Sequence, residues 1–304
     1  MNSPDRPFLE AIRNVPSASR ARQLIRAPEL ASLLRQIPAV MLIEVGWGQL
    51  SQFKSAHIPG ASYLDTSELE TAPLFNKIDD DELLALLLAR GIDHNATVLL
   101  YGRSSLAAGR AAHLLLYAGV ADVRLLDGGF ACWVGAGLPC EAGPSRIRPA
   151  LTDFGAAFPL CPHFLTSADE ARRDTTSLVS VRTWSEFSGA SSGYSYIEAR
   201  GDIALARWGR AGREGDVNSM SEYQHPDGRM LPAAAIARMW EAQAIVRERP
   251  NVFYCGTGWR ASLAFFYAWH MGWEQISVFD GGWFEWCADP ANPVVIRIDA
   301  PAAA

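Results

Sequence analysis

The sequence lacks a membrane-length apolar run, a C-x-x-C pair and any excess of basic residues, and each absence removes a class of function. No apolar stretch approaches the ~18 residues that span a bilayer, so no membrane helix is expected. Acids outnumber bases, 33 against 27, for a net charge of -6. A chain of that sign is poorly suited to neutralising phosphates, so nucleic acid is not an expected partner. The five cysteines, Cys132, Cys140, Cys161, Cys255 and Cys287, form no Cys/His group with zinc spacing, so no metal is expected. The stretch MNSPDRPFLEAIRNVPSASRAR carries basic residues but no apolar core of a secretory signal, which makes the cytoplasm the expected compartment.

What is present is ordinary globular chain: 304 residues, 49% hydrophobic and 20% charged, enough for two domains. Five cysteines is an odd count, so at least one thiol is unpaired within the chain.

The chain repeats itself. At a constant offset of 153 residues, Leu99-Leu100-Tyr101-Gly102 falls on Val252-Phe253-Tyr254-Cys255. Ala108 falls on Ala261, Gly119 on Gly272, Asp127-Gly128-Gly129 on Asp280-Gly281-Gly282, and Trp133 on Trp286. The apolar run 40–45 matches 178–181 more weakly, and the second copy carries extra residues, SGASSGYSYIEARG, at 188–201. The expected division is a first domain over 20–142, a Pro- and Gly-rich linker over 143–161, and a second domain over 162–300.

Each copy alternates short apolar runs with amphipathic stretches. In the first, DDDELLALLLARG (79–91) is acidic at its start and ends on Gly91, a capped helix. Strand 97–101, helix 106–118 and strand 122–126 follow. The second copy gives helix 167–173, helix 232–246, strand 251–254, helix 259–271 and strand 275–279. Strands alternating with helices imply a parallel sheet covered on both faces, which binds ligands beyond the carboxyl ends of its strands.

Cys255 falls at such a strand end, in Tyr254-Cys255-Gly256-Thr257-Gly258-Trp259-Arg260. Gly256 and Gly258 are expected to take positive φ and to turn backbone N–H groups towards one point. With the helix start, those groups favour an anion, such as a thiolate, and Arg260 adds a positive charge. The first copy has Gly102 opposite Cys255 and Ala107 opposite Arg260, so thiol and charge are missing there together.

At these residues the chain resembles the tandem-domain rhodanese family of sulfurtransferases. HIPGA (57–61), the pair Val181-Arg182, CGTGWRAS (255–262) and the two DGG-x-x-x-W segments, 127–133 and 280–286, carry the resemblance. The loop and ARWGRAG (206–212), MSEYQHPDGRM (220–230) and DPANPV (289–294) look like its bacterial thiosulfate sulfurtransferase subgroup. The resemblance implies an inactive first domain packed against an active second one. It also implies double displacement, in which Cys255 takes sulfur from thiosulfate, 3-mercaptopyruvate or polysulfide and passes it to a thiol, cyanide or metabolite acceptor. Sulfur is then the carried group and no cofactor is implied.

Three departures stand out. The family usually has Asp before the Val-Arg pair, and Ser180 stands here, which leaves Arg182 without its usual partner. Many relatives have a second Arg for the donor anion where this chain has Glu186, an acid expected to repel thiosulfate. DIALA (202–206) replaces HIPGA in the second copy. Gly256, Thr257, Gly258, Trp259, Arg182, Arg207 and His225 are the expected substrate-binding residues, with Cys255 and Arg260 catalytic. Trp259 either walls a heteroaromatic acceptor or packs on the neighbouring domain. His225 lies in a polar loop that is expected to cover the site. Trp133 and Trp286 are expected to be structural, Cys132 and Cys287 to pack beside them, and Cys140 and Cys161 to flank the linker. Two other readings stay open: a persulfide carrier or sensor, and a cysteine-dependent phosphatase or arsenate reductase. The second meets a loop one residue shorter than C-x5-R.

Overall fold

The computed structural model describes residues 20–36, 40–173 and 175–297. The amino-terminal stretch read for a signal therefore lies almost wholly outside the described residues, as do 298–300. Two five-stranded parallel sheets carry the fold. The first contains β1 (Leu24–Ile25), β2 (Met41–Gly46), β3 (Ser62–Asp65), β4 (Thr97–Tyr101) and β5 (Asp122–Leu126), in the order β1-β5-β4-β2-β3. The second contains β6 (Leu165–Thr166), β7 (Leu178–Ser180), β8 (Arg207–Trp208), β9 (Asn251–Tyr254) and β10 (Ile276–Phe279), in the order β8-β7-β9-β10-β6. Read from its first strand, each sheet has the same topology, and all its pairs are parallel.

The strands read as continuous apolar runs because both faces are covered. Ile43, Val45, Val98 and Leu100 point to one core, and Leu42, Leu99 and Tyr101 to another. The second sheet divides likewise, with Val179, Phe253 and Val278 on one side and Leu178, Val252, Tyr254 and Phe279 on the other. The inner faces of both sheets share one core. The first outer face is covered by α1 (Ala27–Gln36), α2 (Leu50–Ser55) and α5 (Gly129–Gly135), the second by α6 (Ala168–Ala171), α7 (Trp184–Ser188) and α10 (Gly282–Ala288). Helices α3 (Asp80–Ala89), α4 (Ser105–Ala118), α8 (Ala233–Glu241) and α9 (Trp259–His270) fill the shared core. The expected helix over 167–173 contracts to four residues. The expected helix over 232–246 stops at Glu241, because Ala244 turns to φ 56° and the Ile245 N–H bonds back to the Trp240 carbonyl.

Helices α4 and α9 are apolar nearly all round and are buried accordingly, packed against each other between the sheets. A Cβ at Gly109 would lie 3.0 Å from the Leu263 Cβ, so the missing side chain sets how closely they approach. The two halves also exchange backbone donors: Lys77 N–H bonds to the Asp280 carboxylate at 2.7 Å, and Met230 N–H to Asp127 at 2.8 Å. Donor and acceptor keep the 153-residue offset, so the DGG aspartates are the points where each half holds a loop of the other. The Asp280 exchange also carries a buried ion pair. Arg110, fully buried in α4, bonds Glu70 at 2.7 Å and Asp280 at 2.5 Å. Removing one partner of a buried ion cluster costs about 3–5 kcal/mol, so Arg110→Met should lower unfolding free energy by that order in a denaturant melt. A loss within experimental error would remove the cluster from the interface's account.

Candidate active site

The β9 strand ends at Tyr254 and α9 begins at Trp259, leaving Cys255, Gly256, Thr257 and Gly258 to make the turn. Cys255 is buried, with 1% of its surface exposed. Its carbonyl accepts from the Trp283 N–H at 2.7 Å, and that of Gly256 from the Phe284 N–H at 3.0 Å. A Cβ at Gly282, where φ is 53°, would stand 2.5 Å from the Cys255 oxygen, so only glycine lets α10 dock there. On the other side of the turn, the first intrahelical bond of α9 runs from Ser262 N–H to Gly258. The N–H groups of Trp259, Arg260 and Ala261 precede it and present the helix's positive end to the loop.

One of the two loop glycines works differently from expectation. Gly258 has φ 92°, as a left-handed turn requires. Gly256 does not have positive φ; it is small because the Tyr194 ring lies where a Cβ would be, 2.3 Å away.

Arg260 is not a free cation. Its Nη1 and Nη2 donate to the two carboxylate oxygens of Glu186, each at 2.8 Å, and Nη2 also donates to the Tyr194 hydroxyl at 2.9 Å. Glu186 sits in the first turn of α7, where it accepts from Thr183 N–H in a capping box. Burial pushes its carboxyl up, but Arg260, Arg182 and the Thr183 N–H more than offset this and hold it at about 2. The acid expected to repel an anion is thus an ion-pair partner of Arg260. Arg182 is equally engaged. Asp202 supplies the carboxylate that Ser180 cannot, bonding Arg182 Nη1 at 3.0 Å and accepting from Ser180 Oγ at 2.8 Å and from the Tyr254 hydroxyl. The Asp–Arg pair persists with its acid moved to the DIALA segment.

The rim of the site is aromatic. Tyr194 and Tyr196 meet at 5.4 Å with their rings tilted by 57°, and Tyr196 also meets Phe75 at 5.8 Å and Phe284 at 5.6 Å. Tyr196 is 48% exposed and hydrogen-bonded to Thr257. Both tyrosines come from the extra segment of the second copy, which sequence reasoning noted only as an insertion. The aromatic content of SGYSY, absent from the first copy, was the available signal. Trp259 donates its indole N–H to Glu70 at 2.9 and 3.0 Å, which is the interdomain packing alternative. Two expected residues lie elsewhere. Arg207 turns to Ser177, at the amino end of β7, bonding its Oγ at 2.5 Å, because it sits on the parallel edge strand β8 one pair before the carboxyl end. His225 belongs to a loop that packs on Gly128 and holds Asp127, so it covers the first copy's turn and not Cys255.

That first turn repeats the scaffold without the chemistry. Gly102 O accepts from Phe130 N–H at 3.0 Å, and Gly129, at φ 57°, makes room for it. A Cβ at Gly102 would stand 2.4 Å from Ser104 O and 2.8 Å from Val45 O, so this turn has closed over the space a thiol would need. Trp133 and Trp286 are buried and donate to Pro139 and Pro293 carbonyls, the structural role expected of them. All five cysteines are free; Cys132 and Cys287 are half-buried, Cys161 is buried and Cys140 exposed. Among the described residues, no group of three or more His, Cys, Asp or Glu side chains is arranged to hold a metal ion. None of the described helices is long and apolar enough to cross a membrane.

A repeated strand–turn–helix unit with a cysteine in one turn only defines a tandem α/β protein with a single loaded loop. The Rhodanese-like domain profile matches residues 27–136 and 166–289, and the chain belongs to that family. It is 51% identical over 258 residues to the thiosulfate sulfurtransferase YnjE of Escherichia coli K12, covering 83% of this chain. The chain spans 59% of that relative's length. The crystal structure of YnjE matches with a TM-score of 0.87 at 47% identity, over 90% of this chain and 68% of that one. A structure of EanB, a cysteine persulfide in a tetrahedral intermediate state with ergothioneine, matches with a TM-score of 0.85 at 33% identity, over 90% and 70%.

Two outcomes are expected. Gly129→Ala and Gly282→Ala should each cost about 1–3 kcal/mol of stability from positive φ and the carbonyl clash. Only Gly282→Ala should alter the iodoacetamide alkylation rate of Cys255; equal effects of the two would mean the turns are not independent. The second concerns acid. Because Glu186 is depressed in the folded state, its contribution is complete above its ordinary value of 4.5 and is lost as pH falls towards about 2. The stability gap between the native chain and Glu186→Gln should therefore close over that window, and a constant gap would contradict the pairing.

Proposed function

We propose that this chain is a sulfurtransferase in which Cys255 carries sulfane sulfur as a persulfide. The observation that carries the reading is the asymmetry of the two turns: the same pinned carbonyl and helix start stand in both halves, and only the second has a thiol at its centre. The thiosulfate sulfurtransferase activity named for the Escherichia coli relative supports it. In this reading the Cys255 thiolate attacks the outer sulfur of a donor. The new S–S bond forms as the donor's S–S bond breaks, or its C–S bond in 3-mercaptopyruvate, and the electron pair leaves with sulfite, a thiolate or the enolate of pyruvate. The loop N–H groups and helix start hold the negative sulfur, and a nucleophilic acceptor later takes the outer sulfur.

The residues assigned to this work are Cys255 as nucleophile, Arg260 beside it, and the loop Gly256–Trp259. Two units, over 20–142 and 162–300 with a linker over 143–161, divide the labour, the first serving as the wall that supplies Glu70 and Phe75. A reducing compartment, the cytoplasm, suits five free thiols. For the acceptor, the rings of Tyr194, Tyr196, Phe75 and Phe284 favour a flat molecule, and ergothioneine, held by the EanB structure, is a model for its kind. Small donors such as thiosulfate, 3-mercaptopyruvate or polysulfide are the candidates at the other half of the cycle.

The test is steady-state transfer to cyanide. Cys255→Ser should fold normally and lose transfer by at least about a thousandfold, as removal of a covalent nucleophile does. Retained turnover in that variant would contradict the mechanism, and single-turnover transfer without repeated cycling would favour a carrier.

A further inference from the structure

We infer that Glu186 is a donor-selectivity residue: by closing a two-point ion pair on Arg260 it withholds the guanidinium fork from the Cys255 turn, so the site selects hydropersulfide donors of at most one negative charge over the thiosulfate dianion. This rests on the reading of Cys255 as the sulfur-carrying thiol.

Sulfur transfer from thiosulfate brings a dianion against a thiolate, and like charges in a buried site must be offset by nearby cations. Arg260, on which Cys255 acts electrostatically, and Arg182, which bonds the same Glu186, are the arginines on this side of the turn, and neither has a fork to give. Both Nη atoms of Arg260 are taken by Glu186, and residues 186 and 260 are each 1% exposed. Arg182 is taken by Asp202, by the Gly201 and Ser192 carbonyls, and by Glu186 at 3.5 Å. Across the interface Arg110 is held by Glu70 and Asp280. Three arginines thus face four carboxylates around the turn. A sulfonate group could take the Arg260 fork only by displacing the Glu186 carboxylate, leaving it charged and buried.

One donor remains. Arg260 Nε is buried and has no hydrogen-bond partner. A single N–H suits a single charge, such as the Cys255 thiolate, and does not match the three oxygens of a sulfonate. The charge balance of the reaction agrees. The Cys255 thiolate attacks the outer sulfur of R–S–SH, the Cys255 S–S bond forms, the donor S–S bond breaks, and the pair departs on RS⁻. The proton stays on the outer sulfur, and the total charge never exceeds one. Tyr196 and Phe75 at the rim offer apolar surface to the R group, which thiosulfate lacks.

The experiment measures the second-order rate of sulfur loading on Cys255 by quenched mass spectrometry. Thiosulfate and 2-hydroxyethyl hydropersulfide serve as donors, at fixed ionic strength, for the native chain and Glu186→Gln. The native chain should load from the hydropersulfide at least about tenfold faster. Glu186→Gln should raise the thiosulfate rate about tenfold, with loading reaching half-saturation at lower thiosulfate, and with no matching gain for the hydropersulfide. A native preference for thiosulfate, or an equal change for both donors, overturns the inference while leaving sulfur transfer intact. Loading by neither donor overturns sulfur transfer and this inference together. A second measurement needs no variant: sulfate up to roughly 50 mM should not slow iodoacetamide alkylation of native Cys255, and protection at about 1 mM would overturn the inference.

Discussion

The arrangement depends on one hydrogen bond made twice. In each half, the carbonyl at the end of the fourth strand accepts from the N–H one residue beyond the second glycine of a DGG turn, Phe130 to Gly102 and Trp283 to Cys255. That bond turns the peptide outward and commits the turn to the start of a long buried helix. Because a Cβ at the second glycine would lie only 2.4 or 2.5 Å from that carbonyl oxygen, a side chain there strains either turn. The scaffold is therefore retained in both halves, and the second turn differs by a small addition to it: a thiol, an arginine, and the carboxylate that holds the arginine.

The second dependency is between the halves. Helices α4 and α9 share one core, and each half lends a loop to the other's DGG aspartate. The loop lent to Asp127 covers a turn that has no space for a thiol. The loop lent to Asp280 brings Glu70 and Phe75 to the Cys255 side, where Glu70 holds Trp259 and Arg110. The half whose turn lacks a thiol thus supplies part of the wall around the other's turn.

Much of the fold was legible because period and repeat agree. Strands 97–101, 122–126 and 251–254 match their expected bounds, since short apolar runs between Gly and polar turns leave little choice. The helix expected at 232–246 overran because a left-handed residue at Ala244 leaves no mark in an alanine-rich stretch. In the site, Cys255 and its turn were legible from the repeat. The partners were not. Glu186 and Asp202 meet Arg260 and Arg182 across 74 and 20 residues of chain, and a charge that looks repulsive on its own becomes half of a buried pair once the partner is known. Arg207 and His225 were misplaced for the converse reason: sequence proximity to the site's segments says nothing about which end of a parallel strand a side chain faces.

The central claim is that one thiol of five carries sulfur. Peptide-resolved mass spectrometry of the full chain, after brief exposure to a sulfane donor and before any reductant, tests it most directly. The account predicts one added sulfur atom on the peptide containing Cys255, removed by cyanide as thiocyanate, and none on Cys132, Cys140, Cys161 or Cys287. Sulfur on any of those four with Cys255 unmodified would contradict it.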